Sequence, residues 1–291
     1  MRNLIDLALS SSRSEPPRIV FCSSASVAIS ERCTPYVMCA YSRLHADIPD
    51  TPAIREIGVP PAAACGSGYS ESKWVAERLL EVAAERTPLR PITIRIGQLS
   101  GTSSGYWKSI EWFPSLVRSS MFLKCFPSID KVRSVVARSS HLITYKRSQS
   151  ISLLPVDDAA RAICEMRDSS TPILHLSHPH STPWCTIRDA VASALELQTV
   201  PYNVWFGLLK KSGERMQQVE DAQENPGLKL LEFFRKANVN VDSAEAMGIP
   251  RLDMTTALTV SPYLREIKPL KKESIQVWVK HWRESGLLQS Q

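Results

Sequence analysis

The stretch from Tyr69 to Ile96 reads YSESKWVAERLLEVAAERTPLRPITIRI, and it predicts a helix followed directly by a buried strand. Apolar residues recur at helical spacing along one side of its first part, and charged residues occupy the other side. The apolar set is Trp74, Val75, Leu79, Leu80, Val82 and Ala83. Pro88 and Pro91 end the helix, and Ile92–Ile96 follows as a strand. A buried strand beside an amphipathic helix is typical of a parallel sheet covered by helices.

A second strand of the same kind is predicted upstream. Residues 18–22 form a nearly continuous apolar run that ends in Ser23-Ser24-Ala25-Ser26. Loops at the carboxyl ends of strands form the binding sites of open α/β sheets, so this serine-rich exit is a candidate site. Residues 2–11 predict an amphipathic helix before the strand. The order of strand, loop, helix and strand predicts an α/β protein with a doubly wound parallel sheet.

The rest of the chain predicts a second, smaller α+β domain that is mainly helical. Further elements are a helix from Leu154 through Arg167, a strand at Ile173–Ser177, and helices at 186–195 and 274–282. Two segments read as irregular, namely a glycine-punctuated turn at Gly97–Gly101 and a polar, basic stretch at Lys131–Ser150.

The overall composition of the chain disfavours several classes of protein. The chain has 291 residues, a formal net charge of +6 and scattered basic residues without a nucleic-acid-reading motif. Its seven cysteines form no Cys-x-x-Cys pair, so neither a disulfide framework nor a zinc site is expected. No apolar run is long enough to span a membrane. These features favour a reduced cytoplasmic protein without nucleic-acid, metal or membrane partners.

The pattern with the most chemical content is Gly68-Tyr69-Ser70-Glu71-Ser72-Lys73. Residues four apart on a helix share a face, so the phenol of Tyr69 and the ammonium of Lys73 are predicted neighbours. A close ammonium stabilises a phenolate electrostatically, and such a tyrosine can give its proton to a carbonyl oxygen while hydride arrives at carbon. Ser24 would supply a second hydrogen bond to that oxygen.

Three histidines cluster at His175, His178 and His180. Their spacing matches no zinc-protease motif, and no carboxylate lies nearby in sequence. We interpret them as a strand end and a turn that line or support the second domain, which is the predicted substrate domain.

Several blocks together resemble a known family. Phe21–Val27 and Gly68–Glu77 resemble the extended short-chain dehydrogenase/reductases. Arg95–Gly101 and Gly105–Pro114 are similar to the terminal thioester reductase (R) domains of non-ribosomal peptide synthetases, polyketide synthases and adenylate-forming carboxylate reductases. Further blocks that fit the same group are Leu154–Arg161, His175–His180 and Trp278–Leu287.

The resemblance implies NADPH-dependent reductive release of a carrier-protein-bound thioester to an aldehyde or alcohol in secondary-metabolite biosynthesis. Ser24, Tyr69 and Lys73 match the catalytic trio of the family. Tyr69, Lys73 and the turn Ile96-Gly97-Gln98-Leu99 match cofactor-binding positions, and NADH is a second possible cofactor. The phosphopantetheinyl carrier protein is the implied partner. Residues 1–104 would belong to the nucleotide-binding domain and residues 105–291 to the domain that faces the substrate and the carrier.

One family feature is missing from the sequence. The family begins with a strand and a Thr-Gly-x-x-Gly-x-x-Gly turn that holds the cofactor pyrophosphate, and no such motif occurs here. We therefore expect a Rossmann-like sheet without its N-terminal half and an activity impaired by truncation. Two alternatives stay open: an inactive remnant or carrier-binding module, and another extended dehydrogenase such as an epimerase or dehydratase.

Overall fold

The computed structural model describes residues 1–28, 53–136, 142–215, 224–237 and 245–288. The helices are α1 Arg2–Leu9, α2 Gly68–Arg86, α3 Trp112–Leu123, α4 Val156–Met166, α5 Trp184–Leu195, α6 Tyr202–Arg215, α7 Leu231–Ala237, α8 Thr255–Val260, α9 Pro262–Glu266 and α10 Lys272–Glu284. The strands are β1 Val20–Ser24, β2 Ile92–Ile96, β3 Gln98–Ser100, β4 Cys125–Ser128, β5 Asp130–Val136, β6 Leu142–Ser148, β7 Ser150–Ile151, β8 Leu153–Pro155, β9 Ile173–Leu176, β10 Thr182–Pro183 and β11 Gln198–Pro201.

The chain divides into two compact units, each built from separate segments. The first unit contains Met1–Leu99, Val156–Pro179 and Pro250–Ile267. The second contains Ser100–Pro155, His180–Ile249 and Lys268–Gln291. The division is discontinuous, whereas the sequence predicted a single change of domain near residue 104.

A parallel sheet of order β1-β2-β9 forms the centre of the first unit. Its register sets Ser24 opposite Ile96 and Ile96 opposite Leu176, so these residues lie level with one another. Ile94 and Leu174 are fully buried because helices pack over the sheet, with α2 against β1 and with α4 and α8 against β9. The α/β class with a parallel sheet is confirmed.

The helix α1 is tied to this unit through a small apolar cluster. Ala8 packs with Ala83 of α2 and with Leu89, and Ile5 and Leu9 lie against the same group. The predicted helix at 2–11 therefore forms, although it ends at Leu9.

The second unit has an aromatic core. Trp107 lies 5.0 Å, ring centroid to ring centroid, from both Phe113 and Trp278, and Phe113 lies 6.2 Å from Trp184. The helices α5 and α10 pack together, and strand β11 pairs in parallel with β4. Pro114 falls within the first turn of α3, where its missing N–H removes no internal hydrogen bond.

Two predictions of irregular structure were wrong. The glycine-punctuated segment contains strand β3, which begins directly after Gly97. The basic segment 131–150 forms most of an antiparallel pair, β5 with β6, in which Val132 lies opposite Lys146 and Val135 opposite Ile143. Lysine, arginine and serine interrupt the β-branched residues there, so the two-residue alternation of a strand is obscured in the sequence.

Candidate active site

Strands β1, β2 and β9 run in parallel, so their carboxyl ends meet at one edge of the sheet. Ser24 and Ile96 end β1 and β2, and both are partly exposed. The helix α2 packs against β1 and against the single turn Ala25–Ala28 that follows it. The sequence-predicted site residues therefore lie on elements that adjoin this edge.

Lys73 and Tyr69 are neighbours on α2, as their spacing predicted. The Lys73 ammonium is 5.7 Å from the centroid of the Tyr69 ring and 5.0 Å from that of Phe21. It donates a hydrogen bond of 2.8 Å to the carbonyl oxygen of Cys22, which fastens the side chain to β1. Tyr69 is 58% exposed, so it lies at the surface of the unit.

The two adjacent serines at the end of β1 differ in their surroundings. Ser23 is buried, and its hydroxyl donates to Glu77 Oε1 at 2.5 Å. The Ser24 hydroxyl accepts a hydrogen bond of 3.2 Å from the Ser26 amide. Lys73 thus reaches the strand of Ser24 through the Cys22 carbonyl. Convergence of the Ser24 hydroxyl on the Tyr69–Lys73 face stays a prediction.

The turn Ile96–Leu99 is partly exposed, and Gly97 is tightly enclosed within it. The Gly97 amide donates to the Leu176 carbonyl at 2.8 Å. A Cβ atom at Gly97 would lie 2.9 Å from the Ser177 hydroxyl oxygen and 3.3 Å from Leu252 Cδ1. Such distances require a neighbour to shift, which explains the glycine. Sequence reasoning did not place Ser177 and Leu252 beside this turn.

Sequence reasoning also missed a buried ion pair. Arg95 of β2 is fully buried, and its guanidinium holds the carboxylate of Glu77 through Nε at 3.1 Å and Nη2 at 2.7 Å. Glu77 lies two helical turns after Tyr69, and an arginine within an otherwise apolar strand needs a buried partner. The sequence therefore contains both signs of this pair: the place of Glu77 on the helix of Tyr69, and an arginine within an apolar strand.

His175 lies in β9, within the first compact unit. Its role in lining or supporting the substrate domain stays a prediction. Burial lowers the pKa of His175 to about 4. Its Nδ1–H donates to the Asp253 carbonyl at 2.8 Å, and its amide donates to Glu56 Oε1 at 2.9 Å. Within the parts of the chain that the structure describes, no group of three histidine, cysteine or carboxylate side chains is arranged to hold a metal ion. In the same residues, no helix is both long and apolar enough to cross a membrane.

A parallel sheet with a Tyr-x-x-x-Lys helix packed on its serine-ended strand defines an α/β protein with a Rossmann-like fold. A model of the NAD-binding family described as male sterility protein matches residues 1–163, more than half of the chain. The chain belongs to this family.

Two curated fungal relatives are similar to it. The adenylate-forming reductase Nps10 of Heterobasidion annosum is 35% identical over 98% of this chain. A non-reducing polyketide synthase of Aspergillus terreus is 30% identical over 81% of it. The chain spans 24% of the length of the first relative and 8% of the second.

A solved structure shares the fold. The terminal R domain from the myxalamid PKS-NRPS pathway superposes with a TM-score of 0.66 at 20% identity, covering 99% of this chain and 63% of that one. Nothing in these comparisons supports the expectation of an activity impaired by truncation.

Proposed function

We propose that the chain reduces a carrier-protein-bound thioester with NADPH and releases an aldehyde, or an alcohol after a second reduction. The observation that supports the proposal most directly is the hydrogen bond from Lys73 to the Cys22 carbonyl. This bond holds the Lys73 ammonium beside Tyr69, at the carboxyl edge of the sheet. Its similarity to adenylate-forming reductases and to a polyketide synthase supports a carrier-bound acyl substrate.

The residues at this edge fit a nicotinamide nucleotide. An ammonium has three N–H donors, and Lys73 uses one of them on Cys22, which leaves two for the ribose hydroxyls. The partly exposed turn Ile96–Leu99 would lie beside the nicotinamide, at the place where open α/β sheets bind their ligands. The nucleotide, when bound, supplies a hydride to the acyl carbon.

In the proposed reaction, Tyr69 and Ser24 donate hydrogen bonds to the acyl oxygen as negative charge develops on it. Tyr69 then transfers its proton to that oxygen, and Lys73 stabilises the phenolate that remains. Collapse of the resulting hemithioacetal breaks the carbon–sulfur bond and gives the aldehyde and the free phosphopantetheine thiol. One NADPH and one proton are consumed for each aldehyde formed.

The test is a Tyr69→Phe variant assayed for NADPH oxidation with an acyl phosphopantetheine thioester. Because the variant lacks the proton donor, we expect the turnover number to fall by roughly 100-fold or more. Tyr106→Phe is the matched control, since the two tyrosines are 58% and 59% exposed. Binding of NADPH to the wild-type chain is measured separately by fluorescence titration, and NADH is compared at the same concentrations.

Two results would reject the proposal. Full activity of Tyr69→Phe would remove Tyr69 from the chemistry. Absence of both NADPH binding and thioester turnover in the folded wild-type chain would favour the inactive carrier-binding module.

A further inference from the structure

Four segments of the first unit are joined by the buried pair of Glu77 and Arg95. Glu77 Oε1 accepts from the Ser23 hydroxyl of β1 at 2.5 Å and from Arg95 Nε of β2 at 3.1 Å. Its Oε2 accepts from Arg95 Nη2 at 2.7 Å. The third nitrogen of the guanidinium, Nη1, donates to the Ile57 carbonyl at 2.7 Å. The cluster therefore joins α2 to both strands and to the segment before the helix.

This pair is closed off from solvent, since the side chains of Arg95 and Glu77 are 0% and 9% exposed. A planar guanidinium in a bidentate contact fixes direction as well as distance, and a lysine cannot reproduce that contact. Removal of one partner would leave a buried charge without compensation. The pair therefore fixes the rotation of α2 about its own axis and its position along β1 and β2.

Glu77 lies on the helical face that carries the candidate site. Tyr69, Lys73 and Glu77 follow one another at intervals of four residues, so each is displaced by about 40° around the helix axis and about 6 Å along it. On this face, Glu77 bonds Ser23 of β1, and Lys73, one helical turn earlier, bonds the Cys22 carbonyl. Cys22 adjoins Ser23, the residue of β1 that bonds Glu77. Both bonds therefore depend on the same alignment of α2 along β1.

Arg95 also keeps Glu77 from competing for the lysine. A glutamate four residues from a lysine on one helix face attracts its ammonium. Here both oxygens of Glu77 accept hydrogen bonds from Arg95, and Lys73 donates to the Cys22 carbonyl instead. The ammonium is thereby kept beside Tyr69.

We propose that Glu77 and Arg95 are positioning residues of the reduction: their buried pair holds α2 in the register at which Lys73 reaches the Cys22 carbonyl beside Tyr69. This inference rests on the proposed function for its catalytic consequence. Its structural consequence, the placement of the Lys73 ammonium, is measurable without any turnover.

The principal experiment uses the double variant Glu77→Met/Arg95→Met in the whole chain. Because it removes both charges and keeps similar volume, the fold is expected to persist, as judged by circular dichroism and thermal unfolding. In this variant, α2 is no longer held in the register at which Lys73 bonds Cys22. Acetylation of Lys73 by acetic anhydride should therefore become several-fold faster, relative to Lys108 as an internal reference. The turnover number per folded molecule should fall by roughly 10- to 100-fold, with the KM for the thioester nearly unchanged.

A matched control lies on the same helix. Arg78 and Glu81 form an ion pair of 2.6 Å with side chains 46% and 53% exposed. The variant Arg78→Gln/Glu81→Gln removes a pair of the same kind from the outer surface of α2. Lys73 labelling and turnover should remain at wild-type values.

Arg95→Lys is the second variant, because it keeps the charge but loses the bidentate contact and the bond to Ile57. If the double variant does not fold, Arg95→Lys must show the same faster labelling of Lys73. Unchanged Lys73 labelling in either folded variant overturns the positioning role. If the wild-type chain reduces no thioester, the proposed reaction fails, while faster Lys73 labelling in the variants still supports the positioning of the helix.

Discussion

His175 in β9 is fully buried, and the carbonyl of Asp253 accepts a hydrogen bond from its Nδ1–H. A carbonyl can only accept, so Nδ1 carries a proton. The other nitrogen, Nε2, has no hydrogen-bond partner among the described residues. The pKa of His175 is lowered to about 4, mainly by burial and also by the nearby charge of Arg95, while the bond to Asp253 opposes both effects. Protonation of this ring is therefore unfavourable in the folded chain.

This histidine should make the stability sensitive to acid. The folded pKa lies below the unfolded value of about 6.5, so the unfolded chain binds the proton more readily. Stability is complete above the unfolded pKa and is lost as the pH falls toward the folded one, by about 2 kcal/mol between pH 7 and pH 5. Urea unfolding at both pH values measures the loss. In His175→Asn, which retains a donor for Asp253, the acid-dependent loss should be smaller by that amount; an equal loss in both proteins would contradict the assignment.

At the residue scale, the sequence predicted pairs whose partners share one helix and missed those that the fold brings together. Tyr69 and Lys73 become neighbours through the helical repeat alone. Glu77 and Arg95 meet only when α2 packs on the sheet, and their separation along the chain carries no periodic signal. The hydrogen bonds of His175 to Glu56 and Asp253 were likewise not predictable, because those two residues are distant from it in sequence.

Among the elements, the turn before α3 depends most on one glycine. Gly105 has φ +100°, and a Cβ there would lie 2.7 Å from both the Val277 carbonyl oxygen and the His281 Cβ of α10. Gly105→Ala should therefore lower the free energy of unfolding by about 2 kcal/mol or more, through backbone strain and overpacking. Chemical denaturation measures the change.

Gly207 in α6 provides the opposite case. A Cβ at this position meets nothing within 4 Å. Gly207→Ala should raise the stability by about 0.5–1 kcal/mol, because alanine loses less backbone entropy in a helix. Equal effects of the two substitutions would show that the contact of Gly105 with α10 is unimportant.

Prediction of elements succeeded where one physical pattern dominates. The apolar stripe of α2, the proline that precedes β2 and the paired aspartates at the start of α4 each mark an element that forms. The β5–β6 pair was missed because a strand forms only with a partner strand, and the pairing of Asp130–Val136 with Leu142–Ser148 leaves no clear period in the sequence.

For the whole molecule, the formal charge of +6 bears on the binding of anions. NADPH, the cofactor of the proposed reduction, carries several negative charges, so a positive chain would attract it at low salt, and added salt would screen that attraction. We expect the KM for NADPH to rise a few-fold as the ionic strength increases from about 0.05 M to about 0.5 M. An uncharged N-acetylcysteamine thioester serves as the control substrate, and its KM should stay nearly constant. A salt-independent KM for NADPH would show that net charge does not assist binding.

The family and the α/β class were predictable because several short motifs occur in order along the chain, and the comparisons confirm both. Which segments make up each of the two units could not be predicted in the same way. Residues 156–179 and 250–267 rejoin the first unit after long excursions. Only contacts made in the folded chain, such as the pairing of β9 with β2, reveal that return.

The carboxylate of Glu56 accepts hydrogen bonds from the amides of His175, Thr256 and Ala257, residues made long after it. On the ribosome, at about 5–20 residues per second, Glu56 waits on the order of ten seconds or more for its last partners. Strands β1 and β2 lack their third strand until β9 has been made, and β9 in turn lacks the packing of α8 until the end of that interval, so apolar strand surface is open to chaperones. Cellular yield should consequently depend on how quickly the segment near residue 257 emerges.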